Sequence, residues 1–147
     1  PMHMNHHHAY ERDYLNWYRR TNDTTGEAFD PTLFVQLAEQ QWSDRPALAA
    51  AFARCTAQWE RNELYTYFLA PMHRPARWKF AGSLFLDHPT LGTLLVDVLH
   101  DADAPGGLSI GGMEYFDRVL GRPTSAQEME GVRLKMGAQN NAMRNAN

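Results

Sequence analysis

Apolar side chains near the start of the chain recur with the spacing of a helix face. Tyr10, Tyr14 and Trp17 stand at i, i+4 and i+7, which places them on one side of a helix running from about His8 to Arg20. The turn-forming residues Asn22–Gly26 end that pattern. The sequence therefore predicts a first helix with an aromatic stripe.

Two further helices are predicted before residue 60. Asp30 suits the N-cap of the first, with Pro31 in the first helical position, and the side chains expected to face the core are Leu33, Phe34 and Leu37. Ser43 or Asp44 is expected to cap the second, longer helix, whose inner stripe is Leu48, Phe52, Cys55 and Trp59. This stripe predicts that Cys55 is a buried thiol rather than a nucleophile.

A fourth helix is predicted near the carboxy terminus. Thr124 and Gln127 fit a capping box, and one side of the helix carries Met129, Val132 and Met136. The Asn-rich stretch Gln139–Asn147 is expected to fray.

Between these helices the apolar period shortens from about 3.6 to 2, which predicts a strand meander. The four predicted strands are Leu64–Leu69, Trp78–Asp87, Thr93–His100 and Leu108–Asp117. Hairpin connections are expected at Asp87–Gly92 and Asp101–Gly107, and Gly111–Gly112 indicates a bulge in the last strand. The predicted fold is α+β, a single domain over residues 1–147 in which amino-terminal helices and the carboxy-terminal helix cover one face of an antiparallel four-stranded sheet.

Counting from the turns assigns each strand residue to a face of this sheet. The core face is expected to carry Phe80, Leu84, Leu86, Leu94, Val96, Val98, Met113 and Tyr115. The opposite face is expected to carry Ser83, Phe85, Asp87, Leu95, Asp97, Leu99, Ile110, Glu114 and Phe116. A shift of one residue in register would exchange the two faces.

Composition narrows the class of protein without changing this picture. The chain has 147 residues and a net charge of −3, which argues against a generally basic nucleic-acid binder. Its longest uninterrupted apolar run, Ala47–Ala53, is far shorter than the roughly 18 residues of a membrane span. We therefore expect a cytoplasmic protein that binds neither nucleic acid nor membranes.

The first residues need separate treatment. Pro1, Met2, His3 and Met4 resemble a protease-cleavage and cloning scar, so the natural sequence is expected to begin at Met4. The adjacent histidines His6–His8 would then be native residues or the remainder of a tag.

The distribution of charge is more informative than its total, because Leu84–Asp117 contains six carboxylates and no Lys or Arg. Two interpretations stay open: an acidic surface that maintains solubility, or a negative patch that steers a basic partner. Exposed apolar neighbours such as Leu95, Leu99 and Phe116 would favour the second, because interfaces need desolvated anchors. The candidate partner-binding residues are Asp87, Asp97, Asp101, Asp103, Glu114, Phe116 and Asp117.

Candidate chemical motifs fail on their spacing. Asp101 and Asp103 open a stretch similar to a calcium loop, but Pro105 and Gly112 stand where further ligands are needed. The histidines are isolated in sequence, and surface acids such as Asp97 and Glu114 give no readable reason for a shifted pKa. The sequence therefore predicts no catalytic, cofactor-binding or metal-ligating residue, and a protein that is not an enzyme.

Two segments resemble the strand pair of small bacterial immunity proteins, which are encoded beside secreted antibacterial toxins. They are Gly92–Leu99 and Ile110–Asp117, separated by an acidic Gly-rich turn, and they cover about a quarter of the chain. The resemblance implies a cytoplasmic protein that binds and blocks one cognate protein toxin. That toxin is expected to present a basic surface, and a homodimer of this chain is also left open.

An alternative from another class is a small-molecule-binding domain or an enzyme. Its pocket would lie between the sheet and the aromatic helices, around Trp17, Trp42 and Trp59. A deep cavity with convergent polar groups would favour this alternative, and a filled core with an exposed acidic patch would favour the inhibitor.

Overall fold

An antiparallel sheet of six strands organises the chain, in the order β1-β2-β3-β6-β5-β4. The structure, a computed structural model, describes residues 12–17, 25–70 and 78–122. Its strands are β1 (Glu27–Ala28), β2 (Ala57–Asn62), β3 (Tyr65–Tyr67), β4 (Trp78–His88), β5 (Gly92–Asp101) and β6 (Leu108–Tyr115). Its helices are α1 (12–17), α2 (Thr32–Gln41), α3 (Pro46–Ala53) and α4 (Phe116–Val119), and Pro105–Gly107 form a 3-10 turn. The predicted fourth helix from Thr124, the tail Gln139–Asn147 and His6–His8 lie outside the described residues.

The α+β class is confirmed, but the predicted four-stranded meander is wrong. Strands β4, β5 and β6 do form a meander through the two predicted hairpin connections. Strand β3, however, pairs with β6 rather than with β4, and β2 and the two-residue β1 extend the sheet beyond it. The chain therefore crosses from one part of the sheet to its far edge between β3 and β4.

The predicted long third helix is wrong in its second half. Helix α3 ends at Ala53, Cys55 follows it, and Trp59 lies in β2. The hairpin between β2 and β3 pairs Trp59 with Tyr67, and this pairing overrides the helical spacing of the four apolar residues. Neither Ser43 nor Asp44 caps α3, which begins instead with a proline at its first position.

Helix α2 begins at Thr32 with Pro31 at the N-cap position, one residue later than the predicted start, but Asp30 still bonds its first residue. The Asp30 carboxylate accepts hydrogen bonds from the backbone N–H of Thr32 at 3.0 Å and from its hydroxyl at 2.6 Å. Phe34 and Leu37 are buried as predicted, but Leu33 is 39% exposed. It lies outside the stripe that contacts the sheet.

One face of the sheet, called here the helix face, packs against α2 and α3. The strand side chains in this core are Leu86, Leu94, Val96, Val98, Ile110, Met113 and Tyr115. Ile110 was expected on the other face. Asp97 pairs with Gly112 and Val98 pairs with Ile110, so Gly111 is an extra residue that turns Ile110 inward.

The other face of the sheet, called the opposite face, carries a second core, which includes α1. Its members are Tyr14, Trp17, Trp59, Tyr65, Tyr67, Trp78, Phe80 and Leu99. Phe80 was predicted on the helix face, but a register shift between Phe80 and Gly82 moves it here. The predicted cover of one face by all the amino-terminal helices is therefore wrong, because α1 packs on the side away from α2 and α3.

Strand β4 forms an edge of the sheet, and α2 covers part of that edge. The side-chain amide of Gln41 donates to the Asp87 carbonyl and accepts from the Asp87 N–H, both at 2.8 Å. The Trp42 indole N–H donates to the Phe85 carbonyl at 3.0 Å. These side chains occupy backbone groups that would otherwise be open to a neighbouring strand.

The β4–β5 hairpin is closed by a histidine side chain. The Nδ1 atom of His88 accepts hydrogen bonds from the backbone N–H groups of Thr90 at 3.1 Å and Leu91 at 3.0 Å. Its ring lies 5.2 Å from that of Phe34, and burial lowers the pKa of His88 below 6.5. Because Nδ1 accepts these bonds, the imidazole must be neutral, and the lowered pKa favours that form.

We expect the free energy of unfolding to fall as the pH drops below about 6.5, because the unfolded chain binds the His88 proton more readily than the folded chain does. Above that value the contribution of the neutral ring is fully present. His88→Asn keeps an acceptor oxygen but does not titrate, so its urea midpoint should depend less on pH than that of the unaltered protein. Equal pH dependence in the two proteins would contradict this role.

The buried thiol of Cys55 gives a second test of the fold. Its side chain is 7% exposed, its Sγ donates to the Ala51 carbonyl at 3.6 Å, and burial raises its pKa to about 12. Modification by a thiol reagent at pH 8 should therefore be slow in native buffer and fast in denaturant. Labelling at the same rate under both conditions would show that the thiol is accessible in the folded chain.

Candidate binding surface on the opposite face

The six carboxylates of the predicted negative patch lie in three separate places. Asp87 and Asp117 are near the β4–β5 hairpin, while Asp97 and Glu114 lie within the opposite face. Asp101 and Asp103 are at the far end of β5. From Thr93 to Asp101 the strand extends roughly 26 Å at about 3.3 Å per residue, several times the screening length at physiological salt. The acids therefore cannot act as one patch.

Asp97 is buried, in contrast to the surface position expected for it. It is 1% exposed and accepts hydrogen bonds from the Tyr65 hydroxyl at 2.5 Å and from the Ser83 hydroxyl at 2.6 Å. These donors offset the cost of removing a carboxyl group from water. Asp97 in β5 therefore has a structural role, because its hydrogen bonds join this strand to β3 and β4 on the opposite face.

A glycine makes this contact possible. A Cβ atom at Gly112 would lie 2.5 Å from the Tyr65 hydroxyl oxygen and 2.6 Å from the Thr66 carbonyl oxygen. The Tyr65 side chain thus crosses β6 directly over the position where another residue would project. Any side chain at Gly112 would separate Tyr65 from Asp97.

Beside this network the opposite face is closed by aromatic packing. Burial raises the pKa of Tyr67 to about 12, with Arg61 opposing the rise and with Asp13 and Asp97 adding to it. Arg61 lies 3.5 Å from the Asp13 carboxylate and 5.8 Å from the centre of the Tyr65 ring. Arg61 therefore links α1 to the sheet, and the ion pair remains partly exposed to water.

In the next row across the sheet, exposure increases from the buried Tyr65 in β3 to Phe85 in β4. Phe85, Leu95, Glu114 and Tyr65 are successive cross-strand neighbours, and Phe85 is 53% exposed. The ring of Phe116 meets that of Phe85 edge-on, with centroids 5.2 Å apart and planes at 73°. Leu95, Glu114 and Phe116 are half-buried. We call the four residues Phe85, Leu95, Glu114 and Phe116 the Phe85 patch.

Two further predicted residues border the Phe85 patch at the hairpin. Asp87 is exposed, and its carboxylate accepts a hydrogen bond from the Thr93 hydroxyl at 3.2 Å. Asp117 accepts the Thr93 backbone N–H at 3.0 Å and pairs with Arg122 at 2.8 Å. Arg122 therefore offsets the charge of Asp117. Asp87 and Glu114 are the other two acids beside the aromatic pair.

The two acids at the far end of β5 have local structural contacts. Asp101 accepts the Ser109 hydroxyl at 2.7 Å and the backbone N–H of Asp103 at 3.0 Å. Asp103 itself is exposed. These residues shape the β5–β6 connection and are distant from the Phe85 patch.

Sequence reasoning identified part of this surface and missed part. It placed Phe85, Leu95, Glu114 and Phe116 on one face, and the structure brings them together. It expected Leu99 to be exposed as well, but Leu99 is 0% exposed beneath the second core. It also missed the contact from Tyr65 to Asp97, because the pairing of β3 with β6 has no local signal.

The pocket predicted around three tryptophans is not formed by them. Trp42 belongs to the core on the helix face, whereas Trp17 and Trp59 belong to the core on the opposite face. A groove of about 640 Å³ lies elsewhere, between the start of α3, the middle of β4 and the end of β5. Its titratable lining residues, Asp44, Arg45 and His100, are all exposed.

Comparisons with known protein families, with curated proteins and with solved structures find no match. Within residues 12–17, 25–70 and 78–122, no helix has the length and apolar character needed to cross a membrane. Function is therefore inferred from the geometry of the described residues.

We predict that Tyr65→Phe lowers the free energy of unfolding by about 1.5–3 kcal/mol, because the Asp97 carboxyl loses a buried donor. Tyr115→Phe is the matched control. Its hydroxyl is equally buried but bonds only the neutral Thr66 hydroxyl, at 3.1 Å, so about 0.5–1.5 kcal/mol is expected. Urea unfolding of both variants measures the difference, and equal losses would show that the bond to Asp97 has no additional weight.

Proposed function

We propose that this protein is a non-enzymatic protein-binding module that engages its partner through the Phe85 patch. The observation that carries the proposal is the exposed aromatic pair, with Phe85 53% exposed in edge contact with Phe116. Aromatic side chains that bury in a partner supply much of the binding energy of protein interfaces. An exposed Phe costs solubility, and binding to a partner removes that cost.

The surrounding charges favour a basic partner. Asp87 in β4 and Glu114 in β6 lie on either side of β5, and Arg122 is already paired with Asp117. The nearby Arg118 stacks 4.2 Å from the Tyr115 ring centre and donates to the Glu63 carbonyl at 2.8 Å. The three acids Asp87, Glu114 and Asp117 outnumber the two arginines by one charge, and this small excess would favour the approach of a cationic surface.

Within this class we propose an immunity protein that binds and inhibits one cognate bacterial toxin. The support is the resemblance of Gly92–Leu99 and Ile110–Asp117 to the strand pair of such proteins, and these segments hold three of the four patch residues. The proposed partner is a toxin with a basic surface, encoded beside this chain. Asp101, Asp103 and the buried Asp97 are not part of the proposed contact.

The small-molecule alternative has less support. The groove beside α3 is within the size range of ligand sites, but its polar lining does not converge as buried groups around a ligand. The tryptophans that suggested a pocket fill two separate cores instead.

The test measures binding of the purified toxin encoded by the adjacent gene. Asp87→Asn with Glu114→Gln should slow association at low salt and have a smaller effect at high salt, because steering is screened. Phe85→Ala should leave association nearly unchanged and accelerate dissociation by about tenfold or more, as expected of a buried anchor.

Matched controls lie away from the Phe85 patch. Asp103→Asn removes an exposed acid from the β5–β6 connection, and Leu33→Ala removes an exposed apolar side chain from α2. Neither should change either rate. Toxin binding that is insensitive to the patch variants would remove the Phe85 patch from the interface, and no binding by the unaltered protein would defeat the immunity assignment.

A further inference from the structure

The outer edge of β4 is covered over only part of its length. Its outward-facing backbone groups alternate along the strand, and those of Asp87 and Phe85 are bonded by Gln41 and Trp42. The next outward-facing residue is Ser83. Within the part of the chain that the structure describes, no hydrogen bond is found to its backbone N–H or carbonyl. The cover therefore stops at Phe85, and Ser83 is the one outward-facing residue between it and the bulge at 80–82.

The groove beside α3 opens along this uncovered stretch. It is bordered by Ala81, Gly82 and Ser83, and its floor is formed by Leu48, Leu84, Val98 and Leu108. Gly82 has a φ of 145°, and a Cβ atom there would meet nothing within 4 Å. Small residues at the edge and apolar residues on the floor leave space for a backbone and for alternate side chains on the helix face.

We propose that this edge accepts a short extended segment of a partner protein as an added antiparallel strand centred on Ser83. The backbone of such a segment would exchange both hydrogen bonds with Ser83. Its central side chain would lie on the opposite face, and the two flanking side chains would enter the groove. The bulge after Phe80 and the cover at Phe85 limit the segment to about six residues.

Charge at one end of the groove specifies the chemistry of the segment. Lys79 pairs with the groove-lining residue His100, so their side chains share the helix face, and Arg45 borders the same groove. The cations Lys79 and Arg45 therefore outnumber the one acid that lines the groove, Asp44, and none of the three forms an ion pair among the described residues. The segment that fits has apolar residues for the floor and an acid at its carboxy-terminal end, beside Lys79.

This proposal is independent of the Phe85 patch and its toxin. A small molecule in the same groove is less favoured, because it would leave the backbone of Ser83 open. An extended peptide satisfies both the backbone edge and the apolar floor.

The probe is the hexapeptide acetyl-Thr-Val-Thr-Val-Thr-Glu-amide, added to the isotope-labelled full chain. The backbone amide signals of residues 81–84 should shift, and hydrogen exchange at the Ser83 amide should slow. A peptide methylated on the backbone nitrogen of its third residue keeps its side chains but lacks the donor to the Ser83 carbonyl. It should bind about tenfold more weakly.

The preference for an acid in the segment is tested by reversing charges, first on the peptide and then on the protein. A peptide ending in Lys should bind the unaltered protein about two- to fivefold more weakly, as expected for an exposed ion pair. The double variant Arg45→Glu with Lys79→Glu changes only exposed side chains and should reverse that preference.

Three results would overturn the proposal. The first is equal binding of the methylated peptide. The second is a pattern of shifts confined to Glu114, Phe116 and α4. The third is the absence of any shift at residues 81–84 with peptide at about 1 mM, an affinity of only about 4 kcal/mol.

Discussion

The register of β5 with its two neighbours determines how the whole sheet is covered. One extra residue in β6, Gly111, turns Ile110 toward α2 and α3. One extra residue in β4, between Phe80 and Gly82, turns Phe80 toward α1. Both faces consequently carry large apolar side chains at the same end of the sheet, and helices are needed on both sides. The exposed Phe85 lies beyond this covered region, nearer the hairpin.

The buried Asp97 adds specificity to that arrangement. A carboxyl group between aromatic side chains is tolerated only where donors reach it, and Tyr65 and Ser83 supply them from two other strands. A shift of β3 by one residue would point Tyr65 to the helix face and leave the carboxyl without this donor. Apolar packing tolerates small errors of position, whereas this polar contact requires one register. The absence of a side chain at Gly112 is part of the same requirement.

Much of the fold followed from local patterns, and the errors occur where long-range pairing decides. Alternation located β4, β5 and β6, and the turn residues located both connections between them. The stripe ending in Trp59 was interpreted as helical because four apolar positions fit that spacing. Three of them are core residues in α3 or just after it, whereas Trp59 lies in β2 and belongs to the second core. Nothing near Trp59 in sequence indicates that it pairs with Tyr67 or that β3 joins β6.

The candidate surface was predictable to a similar degree. Period-two counting brought Phe85, Leu95 and Glu114 to one face. For Phe85 and Leu95 it holds because no bulge lies between them and the β4–β5 hairpin, whereas Glu114 is separated from the β5–β6 connection by the extra residue Gly111. Counting along a strand assigns a side chain to a face of the sheet but does not show how deeply it is buried. Asp97 and Leu99 share that face but lie under the second core, whose members come from α1, β2 and β3 as well as from the meander. Acids that are close in sequence therefore lie far apart in the fold: Asp97 is in the buried network, Asp87 is near the β4–β5 hairpin, and Asp103 is in the β5–β6 connection.

The pairing of β3 with β6 also bears on the order in which contacts form. It joins Tyr65 to Glu114, 49 positions along the chain, whereas the meander closes through pairs only 4 and 8 positions apart, at His88 with Gly92 and at His100 with Leu108. Closing the longer loop costs roughly 1.5–2 kcal/mol more chain entropy. The meander can therefore form with Ser83 already beside Asp97 and with water still reaching the carboxyl. The Asp97 carboxyl group loses its water only when Tyr65 packs over it. The cost of desolvation therefore arises together with the hydrogen bond that offsets it.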